Sequence, residues 1–129
     1  MSQVVADAVA GAPCFRSSRY LAGVHYDTGK LVVTVMSPDE GTSALVTFAE
    51  VIGFRVLDEG RLLEFWPACS GDKGWLFHIR ANGWLDQEIA RRGSLLEKLP
   101  GLNEYFMAGE NDCISVLAGQ APEIEIRQA

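Results

Sequence analysis

The pattern that indicates the fold class first appears in Tyr20-Leu-Ala-Gly-Val-His-Tyr-Asp-Thr-Gly-Lys-Leu-Val-Val-Thr-Val-Met36. A strand-like run is interrupted by Asp27-Thr28-Gly29 and then resumes as a run of β-branched residues, which favour strands. Three loop residues that end in glycine fit a type I turn followed by a bulge, a common connection between antiparallel strands. This stretch predicts a first β-hairpin.

A second hairpin is predicted downstream. Residues 43–57 are rich in Val, Ile, Phe and Thr, which favours one long strand, bulged at Gly53, over a helix. The turn residues Asp58-Glu59-Gly60 follow. We therefore expect 61–66 to be the returning strand.

A third hairpin is predicted around Asn82-Gly83, the strongest short turn motif in the sequence. Both residues tolerate the positive φ that a type I′ turn requires. Residues 75–80 precede this motif as an apolar strand. We expect 84–89 to run back along that strand.

The C-terminal third predicts one helix and three more strands. Ser94-Leu-Leu-Glu-Lys-Leu99 has an N-cap serine, leucines at helical spacing and a Pro-Gly stop, so it predicts a short helix. Residues 103–108 and 113–118 flank a polar turn and predict a fourth hairpin. Residues 122–127 alternate Glu with Ile and predict an edge strand that the glutamates protect from foreign strands.

Together these segments predict a mostly β protein, with α+β as an alternative. The expected architecture is an antiparallel sheet, or a partly open barrel, of about four hairpins with one short helix. A chain of 129 residues fits a single domain. We assign 1–13 to an N-terminal arm, frayed or forming a short helix, and 14–129 to one β-rich domain.

Charge and composition narrow the possible partners. Seventeen acidic and eleven basic residues give a net charge of −6. Nucleic acids are poor partners for an acidic surface, whereas a basic protein would be captured faster and selected by it. No apolar run approaches the length of a membrane-spanning helix. Three widely spaced cysteines suggest free thiols in a reducing cytoplasm, so we expect a soluble cytoplasmic protein that binds neither membrane nor nucleic acid.

Residues able to support catalysis are few. His25 and His78 lie on predicted strands, where a lone histidine is most often structural. Cys113 begins an apolar run and is expected to be a buried small hydrophobe, whereas Cys69 lies in a polar loop and is the thiol expected to be exposed. The sequence has no GxSxG, HExxH, GxGxxG or kinase motif. We therefore predict no catalytic residues.

A metal site is the next alternative. Asp86 and Glu88 would share one face of a strand, and Glu64 could join them, a set of oxygen ligands that suits Mg²⁺ or Ca²⁺. The chain has neither an EF-hand pattern nor a DxD motif partnered by histidine. A solvated sheet face explains these carboxylates better, so we predict no metal and no cofactor.

Acidic residues and tryptophans instead predict a protein-binding surface. Acids are concentrated in or beside the predicted turns, and tryptophans lie on the strands between them. Aromatic anchors surrounded by acids are typical of an interface for a basic partner, although they also fit a core with soluble turns. The predicted partner-binding residues are Asp58, Glu59, Glu64, Trp66, Trp84, Asp86 and Glu88.

A resemblance suggests which partner this is. It runs through Gly53-Phe-Arg-Val-Leu-Asp-Glu-Gly-Arg-Leu-Leu-Glu-Phe-Trp66, a Gly-Trp-Leu string, Glu104-Tyr-Phe-Met-Ala-Gly-Glu-Asn-Asp-Cys-Ile-Ser-Val-Leu117 and a closing Ala-Pro-Glu-Ile124. These stretches, in roughly the last three-fifths of the chain, resemble small acidic bacterial proteins, many of which are immunity proteins of antibacterial toxin systems. The resemblance implies neutralisation of a cognate toxin by direct contact. Two alternatives stay open: a ligand-binding or sensory β-barrel whose tryptophans line a pocket, and a small hydrolase-like enzyme that uses His78 or His25.

Overall fold

The computed structural model describes residues 3–12, 18–70, 73–91, 93–95 and 101–128. Its strands are β1 (Val5–Ala8), β2 (Tyr20–Asp27), β3 (Lys30–Ser37), β4 (Thr42–Phe48), β5 (Val51–Asp58), β6 (Leu76–Ala81), β7 (Asn103–Ala108), β8 (Asp112–Ala118) and β9 (Glu123–Gln128). Its α-helices are α1 (Trp66–Cys69) and α2 (Trp84–Ala90), and 3₁₀ turns occupy Pro38–Glu40 and Glu59–Arg61. The prediction of a mostly β, antiparallel protein is confirmed.

The strands form two separate sheets. A five-stranded sheet has the order β1-β6-β7-β8-β5, and a four-stranded sheet has the order β2-β3-β4-β9. Every neighbouring pair is antiparallel. The two sheets remain open rather than closing into a barrel.

The main core lies between the two sheets. β3 and β4 contribute alternate residues from their inner faces, and Phe48 packs against Tyr105 with ring centroids 5.6 Å apart. Alternation of buried and half-buried residues along β3 follows from the period of two, because only one face of this strand meets the other sheet. The buried members of this core are Leu31, Val33, Val35, Ala44, Val46, Phe48, Val51, Trp75, Leu76, Tyr105, Met107, Ile114, Val116 and Ala118.

A second core covers the opposite face of the five-stranded sheet. β7 and β8 are buried on both faces, which explains why apolar residues occupy both faces of these strands. Phe106 points away from the four-stranded sheet and stacks on Phe65 at 4.6 Å, with Trp66 edge-on at 5.9 Å. Leu62, Phe65 and Cys69 complete this core from the segment after β5.

Three local predictions agree with the structure. The first hairpin is β2–β3, the fourth is β7–β8, and β9 is an edge strand paired only with β4. The first turn differs in type, because Asp27 pairs with Lys30 and leaves a two-residue loop. Both loop residues, Thr28 and Gly29, have positive φ, as a type I′ turn requires.

The predicted second hairpin is wrong. The long strand divides at Ala49 and Glu50, where Glu50 has a φ of 53°, so that β4 belongs to one sheet and β5 to the other. A bulge does lie between Val51 and Gly53, next to the predicted position, but β5 pairs with β8 rather than with 61–66. The segment 61–66 forms no strand, because Leu62 and Phe65 lie three residues apart and both face the second core.

The predicted third hairpin is also wrong in its second half. β6 forms, and Asn82 has a φ of 65°, but Trp84–Ala90 is helix α2 instead of a returning strand. The Glu104 carboxylate accepts hydrogen bonds from the backbone amides of Trp84 at 3.1 Å and Leu85 at 2.7 Å, which satisfies the first turn of the helix. Such a cap from a distant strand leaves no local sequence pattern.

The N-terminal segment differs from the predicted arm. Residues 5–8 form β1 and pair antiparallel with β6, so this part of 1–13 belongs to the five-stranded sheet. Residues 96–99 of the predicted helix at 94–99 lie outside the described residues, as does Cys14. No helix in the described part of the chain is long and apolar enough to cross a membrane.

The contact beneath α2 leaves no space at Gly83. A β-carbon there would lie 2.6 Å from Ile79 Cγ2 and 2.8 Å from both Glu104 carboxylate oxygens. We expect Gly83→Ala to lower the free energy of unfolding by about 1–3 kcal/mol, measured by urea denaturation, because overpacking forces neighbours apart. The matched control is Gly60→Ala, where the nearest atom, Asp58 Oδ2, is 3.8 Å away. An equal change in both variants would show that steric crowding is not the cause.

Candidate protein-binding surface

The predicted partner-binding residues belong to one layer, which covers the face of the five-stranded sheet that points away from the four-stranded sheet and begins at Asp58, the last residue of β5. We call the segment 58–70 together with α2 the outer layer. Both parts rest on alternate residues of β7: Phe106 contacts Phe65 and Trp66, and Glu104 holds the start of α2. One strand therefore positions both parts.

The first part of the outer layer is an acidic segment. Asp58, Glu59 and Glu64 are exposed, and the backbone amide of Gly60 donates to Asp58 at 3.4 Å. Trp66 is half-buried, and its indole Nε1 donates to the Glu59 carbonyl at 3.1 Å. This bond fixes the tryptophan beside the acids, as the sequence pattern predicted, although Trp66 begins a helix rather than lying on a strand.

Leu63 is the residue in this segment that sequence reasoning missed. Its side chain is 72% exposed, the largest value among the exposed large hydrophobic residues of the described chain. Leu62 and Phe65, its neighbours in the same turn, are buried in the second core, so Leu63 has to point outward. An exposed apolar side chain thus lies between Glu59 and Glu64 in the sequence.

The second part of the outer layer is α2, on which Trp84, Asp86 and Glu88 were predicted to lie as a strand. Asp86 accepts a hydrogen bond from the Asn82 backbone amide at 2.7 Å. Glu88 pairs with Arg91 at 2.9 Å and accepts a hydrogen bond from Trp84 Nε1 at 3.3 Å. The bond from Arg91 lowers the pKa of Glu88. These acids support the helix itself.

Arg55 lies between the two parts of the outer layer. Its guanidinium carbon is 4.9 Å from the centre of the Trp84 ring, a cation–π arrangement. Burial lowers the pKa of Arg55, and the charges of Glu104, Glu64 and Glu88 act in the opposite direction. Glu64 of the acidic segment and Glu88 of α2 therefore both face this cation, which joins the two parts electrostatically.

A shallow groove of about 390 Å³ opens beside α2. Trp84 forms one wall, and the remaining lining is mixed: it includes the apolar Ile52, Leu95 and Leu117 and the polar Glu88, Arg91 and Ser94. The other two tryptophans take no part, since Trp75 is buried in the main core and Trp66 packs on Phe106. The pocket lined by several tryptophans that the sequence suggested is therefore reduced to one tryptophan at an open groove.

The candidates for catalysis are dispersed. His25 is exposed on β2, whereas His78 stacks on Tyr105 with centroids 5.3 Å apart and has Nε2 3.2 Å from Asn103 Oδ1. Cys113 is buried, as predicted, but Cys69 is buried too, which corrects the prediction of an exposed thiol. Burial raises the pKa of Cys69 to about 12 and that of Cys113 to about 11, so both stay protonated at neutral pH.

The carboxylates considered for a metal do not form a ligand set. Residues two apart on a helix point in different directions, so Asp86 and Glu88 do not share a face as they would on a strand. Within the described ranges of the chain, no three His, Cys, Asp or Glu side chains could together hold a metal ion.

Comparison of the chain with protein-family models, with curated proteins and with solved structures finds no match. Function is therefore inferred from the residues and their geometry. Sequence reasoning identified the acids and tryptophans of the outer layer but missed Leu63, Arg55 and Glu104. Leu62, Phe65 and Cys69, apolar at positions i, i+3 and i+7, carry the helical spacing that would have shown Leu63 to be exposed.

Glu104 gives a test of how the outer layer is held. Its side chain is buried, and burial raises its pKa, while the two amide hydrogen bonds and Arg55 act in the opposite direction. The folded protein therefore binds this proton more tightly than the unfolded chain does. The resulting stabilisation is present at low pH and is lost as pH rises from the ordinary pKa of an unfolded glutamate through the raised pKa of the folded protein.

Glutamine does not titrate. We therefore expect wild type to gain stability relative to Glu104→Gln as pH falls from about 7 to about 5. Urea denaturation at several pH values measures this difference. Glu123→Gln, on the exposed face of β9, is the matched control. A difference that stays constant or shrinks toward low pH would contradict the assignment.

Proposed function

We propose that this protein binds a basic protein partner through its outer layer and acts as an immunity-type inhibitor that occludes the active site of a cognate bacterial toxin. The observation that carries the docking proposal is Leu63, an exposed apolar side chain between Glu59 and Glu64. Burial of a leucine side chain stabilises a complex by about 1.5–3 kcal/mol. A central apolar anchor within a polar rim is typical of an energetic hot spot.

The charge of the acidic segment supports a basic partner. Asp58, Glu59 and Glu64 are exposed and have no ion pair within the described chain, whereas Glu88 is paired with Arg91. A net charge of −6 extends the negative field beyond the segment. Such a field accelerates association with a basic surface and makes the rate depend on salt.

The toxin is the part of the proposal that rests on the resemblance to immunity-type proteins. The resemblance implies that the protein acts in the cytoplasm of the producing cell and that its partner is encoded nearby. The product of the adjacent gene, where it is a basic domain, is therefore the partner to test.

The acidic segment is tested by charge reversal. We expect Asp58→Lys, Glu59→Lys and Glu64→Lys combined to slow association with the purified neighbouring-gene domain about 10- to 100-fold at low salt and to weaken the salt dependence, because the steering field is removed. Stopped-flow measurements at several ionic strengths give the rate. The same variant should fail to protect cells that express the domain.

The control carries an identical change in net charge elsewhere. Asp39→Lys, Glu123→Lys and Glu125→Lys place three lysines on the four-stranded sheet and on the 3₁₀ turn that connects two of its strands. This variant should associate nearly as fast as wild type. Equal slowing of both variants would show that only total charge matters and would remove the outer layer from the proposal.

Leu63 is tested separately. We expect Leu63→Ser to weaken the complex at least about 10-fold, mainly through faster dissociation, since loss of the anchor removes about 1.4 kcal/mol or more. The free protein should keep its melting temperature, because the side chain is exposed before binding. Ile126→Ser on β9, also an exposed apolar residue, is the control. Affinity unchanged by Leu63→Ser would contradict the anchor.

A further inference from the structure

The edge strand β2 is less protected than the other three sheet edges. β1 is four residues long and carries an ion pair between Asp7 and Arg80. β9 alternates glutamates and Arg127, and β5 carries a bulge and Arg55. By contrast, β2 has eight residues, of which only the last, Asp27, is formally charged, and its own bulge, between Leu21 and Gly23, leaves the edge regular over residues 23–27. Natural proteins normally protect a long uncharged edge, because it pairs readily with another strand.

The free hydrogen-bonding groups of β2 can be located from its hairpin register. Asp27 and Lys30 flank a two-residue turn and exchange hydrogen bonds, and pairs alternate from there. The pairs Val24–Val33 and Tyr26–Leu31 are therefore of the non-hydrogen-bonded kind. The backbone groups of Val24 and Tyr26 consequently point away from β3, toward the open edge.

Apolar side chains accompany this open edge. Val24 is 38% exposed and Tyr26 50%, although both lie on the face of β2 that points toward the core. Tyr26 contacts Phe54 of β5 with ring centroids 5.5 Å apart, and Val56 of the same strand is also exposed. The edges of both sheets meet here, and the described residues leave an apolar strip exposed along them.

We propose that a second copy of this chain covers this edge. Strand β2 of one copy pairs antiparallel with β2 of the other, and the twofold axis passes between the two His25 residues. This register sets Val24 opposite Tyr26 of the mate, and the outward backbone groups of these residues bond to each other. It also forms two pairs between a β-branched and an aromatic side chain, which stabilise sheets. The two four-stranded sheets become one sheet of eight strands.

The charges near the edge favour a second copy over the basic partner of the outer layer. In this register Asp27 lies opposite Gly23 of the mate, so no like charges meet. Lys30 lies opposite Asp27 in the hairpin register, so the formal charges at that end sum to zero. The acids of the outer layer belong to the layer that covers the other sheet. This inference does not depend on the proposed function.

The register predicts a specific crosslink. His25 faces its own mate in a non-hydrogen-bonded pair, where α-carbons are about 4.5 Å apart, within the range that a disulfide spans. We expect His25→Cys to form a disulfide-linked dimer under mild oxidation. Thr34→Cys, on the same sheet face one strand further in, should not, and wild type reports any crosslinking by the native cysteines.

The oligomeric state tests the surface itself. Wild type should sediment as a dimer at high micromolar concentration, and Val24→Lys and Val24→Glu should each halve the mass, because the two like charges then lie diagonally across the axis on one sheet face, within reach of long side chains. An equimolar mixture of the two variants should restore the dimer, which excludes misfolding as the cause. Ile126→Lys, on the edge strand β9, should stay dimeric. The proposal would be overturned if wild type were monomeric or if the single variants stayed dimeric. It would also be overturned if the mixture stayed monomeric or if His25→Cys failed to crosslink.

Discussion

Burial of β7 and β8 on both faces is the constraint on which the rest of this structure depends. One face of these strands meets the four-stranded sheet, and the opposite face would expose Phe106, Cys113 and Leu117 if nothing covered it. Part of the chain must therefore leave the sheets and form a second cover, which the segment 58–70 and α2 provide. The outer layer exists because of this requirement, and its outward side is the surface that remains available to a partner.

Covering that face also requires a charged group to be buried. Glu104 is 1% exposed, and its carboxylate meets two amides at the start of α2, in place of the side chain that commonly caps a helix from the preceding residue. Gly83 lies so close that any β-carbon would meet the carboxylate. The helix and the carboxylate therefore depend on each other: the amides solvate the buried acid, and the acid ends the strand-like course of the chain after β6.

These two features explain what could be predicted from the sequence. The hairpins β2–β3 and β7–β8 are local, so turn residues and strand propensity were sufficient to find them. The failures at 61–66 and 84–89 share a cause: both segments are held by β7, through Phe106 and Glu104, from a distant part of the sequence. Asn82-Gly83 did make a turn with positive φ at Asn82, but the chain after it met a carboxylate rather than a strand. Of the site, the acids were found because charge is visible in sequence, whereas the exposure of Leu63 depends on which residues of its turn face Phe106.

The structure also ranks the predicted acids. Asp86 and Glu88 are engaged by the Asn82 amide, by Arg91 and by Trp84, so a partner would have to displace these bonds in order to use them. Within the described residues, Asp58, Glu59 and Glu64 make no such ion pairs, and Glu59 and Glu64 lie on either side of the exposed Leu63 in the sequence, so the proposed docking surface is centred on the acidic segment. That segment and the open edge of β2 belong to different sheets. A dimer through β2 would leave both outer layers free, and two binding surfaces on one particle would strengthen capture of any partner that is itself paired.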